Sequence, residues 1–123
     1  MSLILIVEDN ERNLKLVRDV LRVKGFDTIE AGTAEDGIEL AGQRKPDLIL
    51  MDIQLPGMNG IDALKVLRGK PETATIPVVA VTASVMQQDR TLITEAGFDG
   101  YIGKPINIKE FLESVNHALA KKA

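Results

Sequence analysis

Four apolar runs in this chain each stop at a polar residue: Leu3-Ile4-Leu5-Ile6-Val7 at Glu8-Asp9, Leu48-Ile49-Leu50-Met51 at Asp52, Val78-Val79-Ala80-Val81 at Thr82, and Tyr101-Ile102-Gly103 at Lys104-Pro105. The first three are continuous rather than alternating, the pattern of strands buried on both faces. Asp27 to Ala31 reads as a further short strand. Amphipathic helices are predicted between the runs. Asn10 stands at an N-cap position, with Leu14, Val17 and Leu21 on one helical face, Leu16, Val20 and Val23 beside it, and Gly25 as the stop. Thr33 caps a second helix with Ala34, Ile38 and Ala41 inward, although Gly37 costs that helix ~1 kcal/mol relative to Ala.

Pro46-Asp47 leads into the third strand. Leu55-Pro56-Gly57-Met58-Asn59-Gly60 is dense in turn formers, and both Pro56-Gly57 and Asn59-Gly60 read as turn chemistry. A third helix carries Ile61, Leu64, Val66 and Leu67 and ends near Gly69. Pro71 and Pro77 bracket the way into the fourth strand. A fourth helix covers roughly Met86 to Ala96 and stops at Gly97; the fifth strand is about Gly100 to Gly103. The last helix has Asn107 as cap, Glu110 at the partial capping-box position, and Ile108, Phe111, Leu112, Val115 and Leu119 on one stripe. Lys121 and Lys122 suit its C-terminus.

Five such βα units imply an α/β fold with a mostly parallel sheet covered on both faces. In such sheets ligands bind outside the carboxyl ends of the strands, where the strand order reverses. The polar residues that end the apolar runs all fall on that edge.

Length and composition narrow the function. The 123 residues suit one domain, and 45% apolar residues can fill a core. A net charge of −3 and only four aromatics argue against direct DNA binding and against a stacking platform for single strands. With no cysteine, disulfides and thiolate chemistry are excluded. No apolar run approaches the ~18 residues of a membrane span, and a cytoplasmic domain is expected. Met1-Ser2-Leu3 could partly be an expression scar.

Clustered carboxylates at Glu8, Asp9 and Asp52 repel one another unless a cation intervenes. An oxygen-only set without nearby His or Cys favours Mg²⁺. Asp9 and Asp52 are the best direct ligands, with Glu8 acting through water. Lys104 adds a compact positive charge and Thr82 a hydroxyl, so the set can hold the oxygens of a transferred phosphoryl group. Asp52, ending the central strand, is the natural nucleophile and would form an acyl phosphate. There is no Walker loop, no GxGxxG and no nucleophile elbow. His117, the lone histidine, falls on the last helix and is expected to face solvent.

Four motifs in order, Leu5-Ile6-Val7-Glu8-Asp9-Asn10, Met51-Asp52-Ile53-Gln54-Leu55-Pro56-Gly57-Met58-Asn59-Gly60, Val81-Thr82-Ala83 and Gly103-Lys104-Pro105, make the chain resemble the receiver domain of two-component response regulators. The match runs over essentially the whole length. The resemblance implies a doubly wound, flavodoxin-like (CheY-like) (βα)5 fold with strand order 2-1-3-4-5. It implies that Asp52 is the phosphoacceptor and that Asp9, Asp52 and the backbone carbonyl of Gln54 bind Mg²⁺. Glu8 orients a metal-bound water, and Lys104 pairs with the phosphoryl group. The Lys104–Pro105 peptide is expected to be cis, and Thr82 and Tyr101 match the switch pair. Gln54 and Ser84 occupy positions that tune hydrolysis. The implied donor is a sensor histidine kinase or histidine phosphotransfer protein, and the implied output a downstream protein partner.

Because residues 1–123 end with the fifth helix, a single stand-alone receiver without an output domain is expected, signalling by phosphorylation-dependent binding or relay. The alternative is a receiver fragment of a larger response regulator, including a DNA-binding one, or of a hybrid histidine kinase. A haloacid-dehalogenase-type phosphatase also uses an Asp nucleophile, Mg²⁺ and a lysine, but wants an acid where Gln54 stands. A binding module with a degenerate pocket is disfavoured because the pocket is complete. Taken singly, Glu8-Asp9 could serve a helix dipole, Asp52 could be a loop acid, Lys104 a solvated lysine, Thr82 a turn hydroxyl and Tyr101 a core residue. Asn10, Glu11 and Asn13 are the candidates for kinase contact; Val85, Met86, Gln87 and Tyr101 would report a switch.

Overall fold

A computed structural model describes residues 2–55, 57–83 and 87–122, and for 87–90, 121 and 122 their backbone alone. Met1, Pro56 of the expected turn, Ser84 at the tuning position, and Val85 and Met86 of the expected switch loop lie outside the described residues, as do the side chains of Gln87, Lys121 and Lys122. The chain alternates β1 (Leu3–Val7), α1 (Glu11–Val23), β2 (Asp27–Ala31), α2 (Ala34–Arg44), β3 (Leu48–Asp52), α3 (Gly60–Arg68), β4 (Val78–Thr82), α4 (Gln87–Ala96), β5 (Gly100–Gly103) and α5 (Ile108–Lys122). The strands form one parallel sheet in the order β2-β1-β3-β4-β5. This is the parallel sheet predicted by the alternation of apolar runs and helices, with the doubly wound strand order that the resemblance implies.

Strand side chains alternate between two cores. Leu5, Val7, Ile49, Met51, Val78 and Ala80 pack under α2, α3 and α4. Ile4, Ile6, Leu48, Leu50, Val79 and Val81 pack under α1 and α5, where Phe111 and Val115 are fully buried. A run apolar at every position is what two covered faces require.

Local signals set the helix starts. Asn10, Thr33, Asn59 and Asn107 each accept backbone N–H bonds from the first turn of the helix that follows. Asn59 is therefore a cap rather than simple turn chemistry. Gly25, with φ 88°, follows the last residue of α1's cap.

Three residues expected on apolar stripes are surface residues. Leu16 is 37% and Val23 83% exposed; at ~100° per residue they stand roughly 140–160° around α1 from Leu21, beyond the reach of the sheet. Ile108, 49% exposed, is the first residue of α5, with no preceding turn to pack beside it.

At the opposite edge from the acidic residues, Arg68 donates to the carbonyls of Ala74 (3.2 Å) and Ile76 (2.6 Å) and pairs with Asp99 (3.1 Å), whose carboxylate also accepts from Val78 N–H at 2.8 Å. This clamp ties the end of α3 to the start of β4 and to the turn after α4. It leaves the carboxyl ends of the strands as the open edge.

Candidate phosphoryl-transfer site

Parallel strands in register bring their carboxyl ends level, so β1 delivers Glu8 and Asp9, β3 Asp52, β4 Thr82, and the residue after β5 is Lys104. Two backbone bonds lock the spacing: Lys104 N–H donates to the Thr82 carbonyl (2.8 Å) and Ile53 N–H to the Val81 carbonyl (3.0 Å). Glu8 N–H donates to the Ala31 carbonyl (3.0 Å), holding the acidic pair against β2. The Lys104–Pro105 peptide is cis.

Glu8, Asp9 and Asp52 can each turn an oxygen to within 4.8 Å of the other two. Glu8 and Asp52 are buried and Asp9 is exposed. Lys104 Nζ lies 3.0 Å from Glu8 Oε1 and 3.2 Å from Asp52 Oδ2. It bridges two carboxylates that are 44 residues apart in sequence and balances part of their charge. Glu8 Oε2 accepts the N–H groups of Asp9 (3.1 Å) and Asn10 (3.4 Å), and Asp52 Oδ1 accepts that of Gln54 at 3.0 Å. Both buried acids are thus held by two kinds of donor.

Burial first, and the neighbouring Asp52 carboxylate with it, push the Glu8 carboxyl up to about 7 against the pull of Lys104. Burial also acts upward on Asp52, but hydrogen bonds with Glu8 and the Gln54 amide, with the Lys104 charge, outweigh it and hold Asp52 below its ordinary value. Burial acts downward on Lys104, yet the two carboxylates hold it above the usual lysine range. Two acids sharing one site cannot both ionise cheaply. Below about pH 7 the proton of the pair sits on Glu8, and Asp52 is left ionised, the form a nucleophile needs.

Thr82 is buried, 1% exposed, on β4. Tyr101, paired with Ala80 across the β4–β5 ladder, points outward and is 39% exposed, so it is not a core residue. It borders a surface cavity of about 570 Å³ with Lys104, Glu110 and His117; His117 is exposed on α5, as expected. Asn10 and Glu11 are exposed near the acids and Asn13 is half-buried, but Asn10's carbonyl is already committed to capping α1. Gln54 is exposed.

Gly37, expected only to weaken its helix, and Gly60, expected only as a turn residue, are both required by close packing. A Cβ on Gly60 would lie 2.7 Å from the Asp52 carbonyl oxygen and 2.9 Å from Ile53 Cα, and one on Gly37 would lie 2.7 Å from a Val7 methyl. In the sequence Gly37 shows only as a weak helical residue and Gly60 only as part of a turn.

The oxygen donor set fits a hard divalent cation: three carboxylates converge, one of them exposed, with no nitrogen or sulfur ligand among them. Among the described residues no helix is long and apolar enough to cross a membrane.

The chain is similar to several known proteins. The family described as response regulator receiver domain matches residues 4–116. The polar-differentiation response regulator DivK of Brucella anthropi is 43% identical over 116 residues, 94% of each chain. The receiver domain of a sensor histidine kinase from Pseudomonas aeruginosa, solved with a magnesium ion coordinated in its active-site cleft, is 28% identical with a TM-score of 0.89 over 97% of this chain and 98% of that one. A CheY-like response regulator receiver domain protein from Methanospirillum hungatei is also 28% identical, with a TM-score of 0.89 over 99% of this chain and 96% of that one.

Proposed function

The chain belongs to the response regulator receiver domain family, and on that premise we propose that Asp52 is its phosphoacceptor, charged by phosphohistidine on a sensor histidine kinase or histidine phosphotransfer protein. One observation carries the reading. Asp52 is 2% exposed, held ionised and oriented by the Gln54 amide, and lies 3.2 Å from the Lys104 ammonium.

A carboxylate oxygen of Asp52 attacks phosphorus, the O–P bond forms as the P–N bond of phosphohistidine breaks, and the imidazole leaves with a proton taken from solvent. The product is an acyl phosphate, later cleaved by water. Lys104 neutralises charge on the phosphoryl oxygens, releasing its bond to the unmodified carboxylate as the new group takes it. Asp9, Asp52 and the backbone carbonyl of Gln54 would hold Mg²⁺, with Glu8 orienting a bound water. When bound, the ion supplies positive charge against the phosphoryl oxygens and between the carboxylates. The chain promotes its own phosphorylation and dephosphorylation and is not a classical enzyme.

Phosphorylation takes the Asp52 position from one negative charge to roughly two. Thr82 and Lys104 gain a strong acceptor, and Tyr101 turns inward behind the moving hydroxyl. Converting a 1:99 population to 99:1 takes about 5.5 kcal/mol of differential stabilisation. A downstream protein partner reads the face of α4, β5 and α5 in the cytoplasm, without direct DNA contact. As a stand-alone receiver, the chain acts in the manner of the polar-differentiation regulator it resembles. A second reading, a receiver segment of a hybrid kinase, is favoured by the histidine-kinase receiver of equal extent; the size of the native gene product on an immunoblot separates the two.

The test is the intact mass after incubation with acetyl phosphate and Mg²⁺. Wild type gains one phosphoryl group and Asp52→Asn gains none; a gain in both removes Asp52 as acceptor. A wild type that gains none from acetyl phosphate or a kinase favours a binding module.

A further inference from the structure

Gly60 is buried and opens α3, yet its φ is not in the left-handed region, so its backbone is one any residue adopts. The glycine is there for space. Its N–H donates to the Ile53 carbonyl at 3.1 Å, and a Cβ would meet the Asp52 carbonyl oxygen at 2.7 Å and Ile53 Cα at 2.9 Å. Both are backbone atoms, which cannot swing aside as a side-chain tip can. The stretch Asp52–Gln54 is pinned at three points: Ile53 N–H to the Val81 carbonyl (3.0 Å), the Ile53 carbonyl to Gly60 N–H (3.1 Å), and Asp52 Oδ1 to Gln54 N–H (3.0 Å). The first turn of α3, capped by Asn59 through Asp62 N–H at 2.9 Å, therefore rests directly on the peptide that leaves Asp52.

From this we infer that Gly60 is a positioning residue for phosphoryl transfer: it seats the N-terminus of α3 against the Asp52–Ile53 peptide and so sets where the Asp52 carboxylate and the Gln54 carbonyl stand. The inference rests on Asp52 as acceptor and on the Gln54 carbonyl facing the cation. A methyl at position 60 forces a backbone displacement of roughly 0.7 Å to restore ordinary contact. Misplacement by about 1 Å costs up to ~100-fold in such chemistry, so Gly60→Ala is expected to slow phosphorylation about tenfold. Helix propensity alone predicts the reverse sign for folding, since Ala is the better helix former.

The experiment compares wild type, Gly60→Ala and Gly69→Ala. Gly69 closes the other end of α3, where a Cβ meets nothing nearer than 3.4 Å. Three quantities are measured: the rate of mass gain from acetyl phosphate, Mg²⁺ affinity by titration, and the ¹H–¹⁵N resonance and hydrogen exchange of the Gln54 amide without Mg²⁺. Gly60→Ala is expected to lose about tenfold in rate and in Mg²⁺ affinity and to shift and deprotect the Gln54 amide, with Gly69→Ala at wild-type values. A Gln54 amide and Mg²⁺ affinity unmoved in folded Gly60→Ala overturns the inference. If Gly60→Ala does not fold, Asn59→Gly loosens the same seat without adding an atom. It is expected to deprotect Gln54 and weaken Mg²⁺, and wild-type values for both overturn the inference. A wild type that takes no phosphoryl group overturns the acceptor assignment instead, because the Gln54 amide readout is independent of phosphorylation.

Discussion

The proton on Glu8 makes the protein's stability depend on pH in an unusual direction. An acid whose ordinary pKa is 4.5 is pushed up to about 7 by burial and by Asp52. Between those values the folded state holds a proton that the unfolded state has released. Stability is therefore full below pH 4.5 and is lost as pH rises through about 7. At ~1.4 kcal/mol per pH unit between 4.5 and about 7 the loss reaches about 3–4 kcal/mol, or on the order of 10 °C in Tm for a domain of this size. Solvent screening removes little of it, because Glu8 is only 5% exposed. Neighbouring groups act in other windows. Asp52, held below its ordinary 3.8, contributes stability present above that value and lost as pH falls through its folded pKa; Lys104, held above 10.5, contributes stability lost only above that value. The assay is urea unfolding in a chelator from pH 5 to 8, for wild type and Glu8→Gln. Wild type should lose stability across the range and Glu8→Gln should be nearly flat. Saturating Mg²⁺ should flatten the wild-type profile, because the ion favours ionised Glu8. A wild-type profile that is flat or rising without Mg²⁺, or an unchanged slope in Glu8→Gln, refutes the assignment of the proton.

Other outcomes follow from single contacts. Lys104→Met should slow phosphorylation by acetyl phosphate about 100-fold while tightening Mg²⁺, since a competing cation leaves the carboxylates; a mass time course and a Mg²⁺ titration separate the two, and weaker Mg²⁺ binding would contradict the bridge. Gly37→Ala should destabilise despite its better helix propensity, because the new methyl meets Val7, and the Val7→Ala background should restore most of the loss in urea unfolding. Phe111→Ala, emptying a fully buried site between α5 and the sheet, should cost about 3–5 kcal/mol in the same assay.

Much of the fold was legible in the chain because parallel strands buried on both faces must be apolar at every position. Leu48 to Met51 could hardly be anything else, and Asn10, Thr33 and Asn107 announce their helices by chemistry that acts within three residues. The same logic places Glu8, Asp9, Asp52, Thr82 and Lys104 at one edge from strand order alone. Periodicity was less informative where it only counts apolar residues. Leu16, Val23 and Ile108 fit the stripe but not the sheet beneath it, because the width of a buried face is set by what packs on it.

By itself, the sequence determined which side chains reach the carboxyl edge and that they suit phosphoryl chemistry, since both follow from residue order along each strand. Tertiary structure alone decided how those side chains divide their charge. Lys104 bridges Glu8 and Asp52 across strands far apart in sequence, the proton settles on Glu8, and Asp52 is left ionised. It also decided the meaning of Gly37 and Gly60. A missing Cβ matters only through what stands within 3 Å of it, and that distance exists only once the helix has packed against the strand.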